Sequence, residues 1–397
     1  MPTQKNGALR WYKTMTNEEQ CLFQNEPARF TIDSIDELLI FAAKANASDI
    51  TIQTEEQIFA EIYGRLHKIT KRRISNNEVG EIINEIYGSN ATAQLLGGHD
   101  IDTHYEVRPT RSERFRFRIN ATSCLVEGHD AIQITARIIP NEPPDLSSLD
   151  LPQAILDAYD PSQGIVYITG ATGSGKSTLL AAIIKDIVSK ENGNRKVLTY
   201  EAPIEFVFDS VPKPSSIVSQ MEIPRHLPSF AAGVRNALRR KPGLILVGES
   251  RDKETINASI EAALTGHPVY TTLHSTGVAE TIRRLVTSFP FEERHGRSID
   301  ILETIRLVVW QKLVPTIDGK RVALREFLVF DESIRDKLLS SDLENATKNT
   351  RKLLRQYGQV MDVDAKEKFD KGIIDERTYQ LVCATTHNAD IDAGILK

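Results

Sequence analysis

The stretch "GIVYITGATGSGKSTLLAAIIKDIV" constrains this chain more than any other. A run of β-type apolar residues, Ile165 to Thr169, leads without a break into a glycine-rich turn, and a helical pattern follows. Leu179, Leu180, Ile183, Ile184, Ile187 and Val188 fall on one face of that helix. Between them, Gly170 to Ser177 fit the spacing G-x-x-x-x-G-K-[ST]. Glycines allow successive backbone N–H groups to converge on phosphate oxygens without Cβ clashes, and a helix N-terminus adds favourable partial charge. Lys176 is placed to reach the β- and γ-phosphates, and the Ser177 hydroxyl to bind Mg²⁺. We therefore read Gly170, Ala171, Thr172, Gly173, Ser174, Gly175, Lys176, Ser177 and Thr178 as the binding loop for ATP with Mg²⁺.

Such a loop serves kinases, GTPases and ATPases alike, so the acidic residues must separate them. Residues 153–330 alternate short β-type runs ("GIVYIT", "RKVLTYE", "LILVGE", "VYTTLH") with helical stretches, the pattern of an α/β domain with a mostly parallel sheet. "LILVGESRD" places Glu249 and Asp252 just past one strand, and "LTYEAPIEF" places Glu201 and Glu205 at the end of another. Carboxylates at the carboxyl ends of strands beside the phosphate loop can hold Mg²⁺ or accept a proton from the attacking water. Two such clusters aimed at one phosphate point to hydrolysis. His267 and His274, seven apart in "LTGHPVYTTLHS", lack a nearby third ligand and make a poor zinc site. Their spacing does not decide between a catalytic pair and hydrogen-bonded structural histidines.

The remainder organises around this domain. Residues 1–30 are polar and weakly patterned and read as a mobile tail. In residues 31–139 an α+β unit is expected: a helix opened by a capping box at Ser34 and Glu37, the alternating "DITIQ", a turn at Gly64, and paired strands in "RFRFRIN" and "AIQITARII". "PNEPPDLSSLDLP", 140–152, reads as an extended linker because proline fixes φ and restricts its predecessor. Residues 331–397 read as a polar helical segment. A net charge of −5 gives no global pull toward nucleic acid, and the short basic runs 71–73 and 239–241 read as solvated faces. Three scattered cysteines, Cys21, Cys124 and Cys383, fit a reducing compartment. The polar start and the lack of 18 consecutive apolar residues predict neither a secretory leader nor a membrane span.

"GATGSGKST", "YEAPIEF", "LILVGESRD" and "TGHPVYTTLH" stand in the order of the Walker A, acidic, Walker B and histidine boxes of the secretion ATPases. The chain resembles that superfamily over about residues 30–385, within it the pilus-retraction branch, and more closely still the cytoplasmic ATPases of type IVB (Dot/Icm) secretion and their conjugative relatives. The resemblance implies a homo-hexamer whose subunits join a PAS-like N-terminal domain to a RecA-like motor domain, with ATP between them. It implies Glu205 as general base, Glu249 as organiser of Mg²⁺ and water, and His274 as a sensor near the γ-phosphate or subunit boundary. His267 would orient its loop. Arg118 and Arg137, with Arg116 a weaker third, would bring positive charge to the transferring phosphoryl. The implied partner is the inner-membrane complex of a type IVB secretion machine, with a second secretion ATPase as an option, from a cytoplasmic location; nucleic acid is not implied. Two departures stand out. Ala202 replaces the usual aspartate of the acidic box, and Lys241-Pro242-Gly243 stands where Asp-Pro-Asp is usual.

Overall fold

The computed structural model describes residues 22–62, 65–110, 113–139, 142–341, 345–392 and 394. The chain divides into two compact units, Met1–Asn141 and Glu142–Lys397.

The first unit is one antiparallel sheet covered on one face by helices. Its strands are β1 (Ala47–Gln53), β2 (Phe59–Ile62), β3 (Arg65–Lys68), β4 (Ile101–Val107), β5 (Phe115–Val126) and β6 (His129–Ile139), in the order β3-β2-β1-β6-β5-β4. Period-two alternation sorts the side chains. The rows Ile52–Ile134–Ala121 and Ile50–Ala136–Ile119 cross three strands in register and are all buried. Helices Ile32–Lys44 and Asn76–Tyr87 close that face with Ile35, Leu38, Leu39, Val79, Ile82 and Ile83. The opposite face is polar, and on it Arg118 lies directly across from Arg137.

Several sequence expectations shift here. The first helix begins at Ile32 with Thr31 as N-cap; Ser34 sits three positions in, where its hydroxyl accepts the Thr31 N–H at 2.8 Å. The capping box is therefore Thr31–Ser34 rather than Ser34–Glu37. Of the expected tail, residues 1–21 lie outside the described residues, but within 22–30 Phe23 and Phe30 are buried in the core. The expected turn at Gly64 lies outside the described residues.

Glu78, at the third position of helix Asn76–Tyr87, knots this unit together. It accepts the Phe30 N–H at 2.6 Å, the Ser75 N–H at 2.9 Å and the Ser75 hydroxyl at 2.8 Å, and it pairs with Arg72 at 2.5 Å. Burial alone would raise this carboxyl; the Arg72 guanidinium, then the Ser75 and Phe30 donors, outweigh it and bring it down to about 2.

The second unit is a doubly covered sheet. Its strands are β7 (Gly164–Thr169), β8 (Lys196–Glu201), β9 (Ile217–Glu222), β10 (Leu244–Val247), β11 (Pro268–Leu273), β12 (Ile305–Pro315) and β13 (Arg321–Val329), in the order β13-β12-β7-β11-β10-β8-β9. Every pairing is parallel except β12 with β13. All residues of β7, β10 and β11 are buried, as two-sided burial of parallel strands requires. Ile165 and Tyr167 face one core with helices Phe230–Ala237, Lys253–Leu264, Val278–Thr287 and Arg294–Thr304; Val166 and Ile168 face the other with helix Lys176–Ser189. The whole apolar stripe expected on that last helix is buried.

Two stretches read as peripheral belong to this unit. From residue 142 the proline-rich stretch packs rather than extends: Leu146 joins the core, and Lys185 holds both the Pro143 carbonyl (3.0 Å) and Asp145 (2.8 Å). Pro140 and Asn141 lie outside the described residues. The C-terminal helices Glu332–Leu339, Ala346–Tyr357, Met361–Asp370 and Glu376–Asp392 pack on β12 and β13 through Ile334, Leu354, Met361 and Val382. Buried Arg351 bridges Glu326 of β13 and Asp390, both at 2.9 Å, and Glu326 in turn accepts the Val278 N–H at 2.9 Å. Among the described residues no helix is long and apolar enough to cross a membrane.

Because the Glu78 carboxyl is lower in the folded protein than its ordinary 4.5, its contribution is complete above that value and lost as pH falls toward about 2. We expect Glu78→Gln to cost about 3 kcal/mol near neutral pH. The gap between wild type and variant, measured by denaturant unfolding of the first unit, should close as the pH drops through that window.

Candidate active site

The site forms at the carboxyl ends of β7, β8, β10 and β11, where an open parallel sheet presents its loops. From Thr169 the chain turns through 170–175 into helix Lys176–Ser189. Two glycines are required by geometry. Gly170 has φ +145°, and a Cβ there would lie 2.3 Å from the Gln311 carbonyl oxygen. Gly175 caps the helix at φ +83°, with a Cβ meeting the Gln311 amide at 2.8 Å. Ala171, Thr172 and Gly173 are exposed, Ser174 is buried, and Ser177 opens the helix half-buried.

Lys176 folds back over the loop, donating to the carbonyls of Gly170 (2.9 Å) and Ala171 (2.8 Å). Burial lowers its pKa, while the charges of Glu249 and Glu205 oppose that. Glu249 follows β10 and Glu205 lies in the loop after β8, and the charge of each favours the Lys176 ammonium.

Glu249 stands two residues beyond β10. The strand ends are pinned by hydrogen bonds from the Gly248 N–H to Tyr200 O (2.7 Å), from the Thr272 hydroxyl to Gly248 O (2.6 Å) and from the Ser250 N–H to Thr272 O (2.9 Å). This pinning brings Glu249 to His274, just past β11: Glu249 Oε1 lies 3.3 Å from His274 Nε2, and Oε2 pairs with Arg251 at 2.7 Å. Arg251 is a site residue that sequence reasoning missed, although it stands in the same "GESRD" run.

The other acids separate by task. Asp252 caps helix Lys253–Leu264, accepting the Thr255 N–H at 2.8 Å and its hydroxyl at 3.1 Å. Glu201 accepts from the Thr199 hydroxyl of its own strand (2.6 Å) and from the Gln220 amide of β9 (3.2 Å), the second bond tying β8 to β9. Gln220 also holds the Phe206 carbonyl at 2.8 Å and the Phe208 N–H at 3.1 Å, which shapes the loop carrying Glu205. The histidines separate as well. His267 precedes β11 and bonds the Ala262 carbonyl and the Thr265 hydroxyl at 3.2 Å. It lies a full strand, about 20 Å at ~3.3 Å per residue, from His274, so the two share no ligand.

Among the described residues no three His, Cys, Asp or Glu side chains converge on a metal. Mg²⁺ with a nucleotide needs only one or two protein oxygens, the rest being phosphate and water. The Ser177 hydroxyl and the Glu249 carboxylate are of the right kind, beside a loop whose cradle a Cβ would fill.

In the first unit, Arg118 forks onto Asp102 at 3.0 and 2.6 Å, and its cross-strand neighbour Arg137 pairs with Asp49 at 2.8 Å. Arg116 is buried near Glu106, 3.8 Å away.

The chain belongs to the family of Type II/IV secretion system proteins, whose family model matches residues 24–378. An X-ray structure of the Legionella pneumophila ATPase DotB is 66% identical in sequence and superposes with a TM-score of 0.86, covering 92% of this chain and 99% of that one. A crystal structure of the pilus retraction motor PilT with bound ADP is 29% identical, TM-score 0.75, covering 88% and 96%. The type IV pilus retractation ATPase PilT of Pseudomonas aeruginosa is 35% identical over 302 residues, 76% of this chain and 84% of that one. The α/β architecture is thus that of the secretion and pilus ATPases, and the family uses nucleotide.

Gly170→Ala should displace the loop, since its Cβ would lie 2.3 Å from the Gln311 carbonyl oxygen and 2.6 Å from the Ser174 hydroxyl. We expect ATP affinity, read by fluorescence titration, to fall at least about tenfold, with the far-ultraviolet circular dichroism unchanged.

Proposed function

We propose that this chain is a hexameric cytoplasmic ATPase that hydrolyses ATP to drive a type IVB (Dot/Icm-like) secretion machine, to which it is recruited at the inner membrane. What supports the reading is the phosphate loop with Lys176 folded over its carbonyls, the Glu249–His274 pair at the neighbouring strand ends, and the charges of Glu249 and Glu205, both of which favour the Lys176 ammonium. A loop that only binds nucleotide needs the lysine and glycines; two carboxylates add a proton acceptor and a metal organiser. The 66% identity to the ATPase DotB supports the type IVB assignment over pilus retraction, which the 35% identity to PilT keeps as the second reading.

In this reading residues 170–178 hold the triphosphate. The Ser177 hydroxyl and the Glu249 carboxylate would hold Mg²⁺, which when bound would supply positive charge to the phosphates. Glu205 accepts a proton from water as its oxygen bonds to the γ-phosphorus; the bond from that phosphorus to the bridging oxygen breaks, and ADP and phosphate leave. Lys176 lets go of its own loop carbonyls to meet the phosphates. His274, paired with Glu249, senses the γ-phosphate. The first unit acts as a PAS-like domain, offering Arg118 and Arg137 to the nucleotide, from the same or a neighbouring subunit, once Asp102 and Asp49 release them. The second is a RecA-like motor, and domain closure on ATP followed by release on hydrolysis delivers the force.

Steady-state phosphate release tests this reading. Wild type should turn over, while Lys176→Ala and Glu205→Gln should each lose at least about 100-fold in kcat/KM. Wild-type release no faster than those variants, in a ring of mass near six times 44.5 kDa, would leave a nucleotide-gated assembly platform instead. Capture of the wild-type ring from native membranes with secretion-channel proteins rather than pilins separates export from retraction.

A further inference from the structure

We propose that Gln311 is a positioning residue for the phosphate loop, and that Arg325 ties the setting of that loop to Asp150 and to the C-terminal helix Met361–Asp370. The inference rests on the nucleotide site described above and goes beyond its expected residues.

Gln311 is a buried polar residue in the apolar run of β12, the parallel neighbour of β7. Trp310 pairs with Thr169, so Gln311 stands level with the start of the loop. It touches the loop at both ends. Its carbonyl occupies the space a side chain at 170 would need, and its Nε2 donates to the Ser174 carbonyl at 2.6 Å. The peptide between Ser174 and Gly175 is planar and trans, so its C=O and N–H point opposite ways. Holding that carbonyl toward Gln311 turns the Gly175 N–H away from β12, and the direction of one donor of the cradle is thereby set.

The amide cannot serve equally well flipped. Arg325 Nε donates to Gln311 Oε1 at 2.9 Å; a guanidinium only donates and a carbonyl only accepts, so Oε1 must face Arg325 and Nε2 must face Ser174. Arg325 is buried in turn. Its Nη1 donates to the Asp150 carbonyl at 3.1 Å, and its backbone N–H donates to Asp364 at 2.8 Å. Lys368, one turn beyond Asp364, pairs with the Asp150 carboxylate. A continuous hydrogen-bonded chain therefore runs from the Ser174 carbonyl through buried Gln311 and Arg325 to buried Asp364 and Lys368 of the C-terminal helix and to exposed Asp150 at the end of the proline-rich stretch. A partly satisfied network of this kind is costly, so its members move together.

Gln311→Glu is the discriminating variant. It keeps the shape and the acceptor for Arg325 but sets a carboxylate oxygen against the Ser174 carbonyl. Arg325→Met frees the amide to turn. We expect either change to weaken Mg²⁺-ATP binding at least tenfold, with the loss falling mainly on KM rather than kcat. The double variant should be no weaker than the worse single one. For Gln311→Glu the thermal midpoint should stay within about 3 °C of wild type. ATP affinity within twofold of wild type in either folded variant overturns the proposal, as does a loss of midpoint without loss of affinity. Equilibrium binding needs no turnover: a wild type that binds ATP without hydrolysing it defeats the motor reading and leaves this one standing, whereas a wild type that binds no ATP defeats both.

Discussion

Lys176 is held where its charge is contested. Burial beside the phosphate loop works against the ammonium, and the carboxylates of Glu249 and Glu205 work for it. In the structure it is satisfied by the loop's own carbonyls, a weaker arrangement than two anionic phosphate oxygens offer. The site is thus a set of groups at moderate tension: a cation held by backbone carbonyls, a turn in which Gly170 and Gly175 admit no side chain, and acids in the loops that follow neighbouring strands. None of these would hold without the sheet. β7, β10 and β11 are buried on both faces, and short hydrogen bonds between their last residues fix where Glu249 and His274 stand.

The sheet's other edge does a different task. β12 and β13 form the antiparallel pair, and the C-terminal helices rest on them. Two buried polar chains leave this edge. One passes from Asp390 through Arg351 and Glu326 to the first N–H of helix Val278–Thr287, four residues beyond His274. The other passes from Asp364 through Arg325 and Gln311 to Ser174. Buried charges are weak evidence for net stability but strong evidence that geometry is specified, because breaking one partner leaves the other uncompensated. Both chains connect the C-terminal helices to residues that border the nucleotide site.

Much of this was legible in the sequence where a local pattern and a chemical demand coincide. The phosphate loop is one such place, since strand, glycine spacing and amphipathic helix all occur within about seven helical turns of chain. The pairing of β5 with β6 is another, written in strict alternation. What the sequence hid was tertiary. Asp252 and Glu249 stand three apart after one strand, yet one caps a helix and the other pairs with His274; spacing cannot tell them apart. Glu201 and Glu205 differ likewise, because only the fold brings Gln220 to Glu201. Thr31 displaced Ser34 as N-cap by a shift of less than one turn, the scale at which helix ends are least certain. Gln311 did leave a trace, a lone amide in "LVVWQKLV", but its meaning depended on β12 lying beside β7.

The most direct test of the central claim, that Lys176, Glu205 and Glu249 share one nucleotide, is a structure of the protein with Mg²⁺ and a non-hydrolysable ATP analogue. The account predicts the triphosphate within residues 170–178, magnesium on the Ser177 hydroxyl and reached by Glu249 directly or through one water, and Glu205 hydrogen-bonded to a water facing the γ-phosphorus. Nucleotide bound outside the loop, or both carboxylates turned away from the metal and the γ-phosphate, would contradict it.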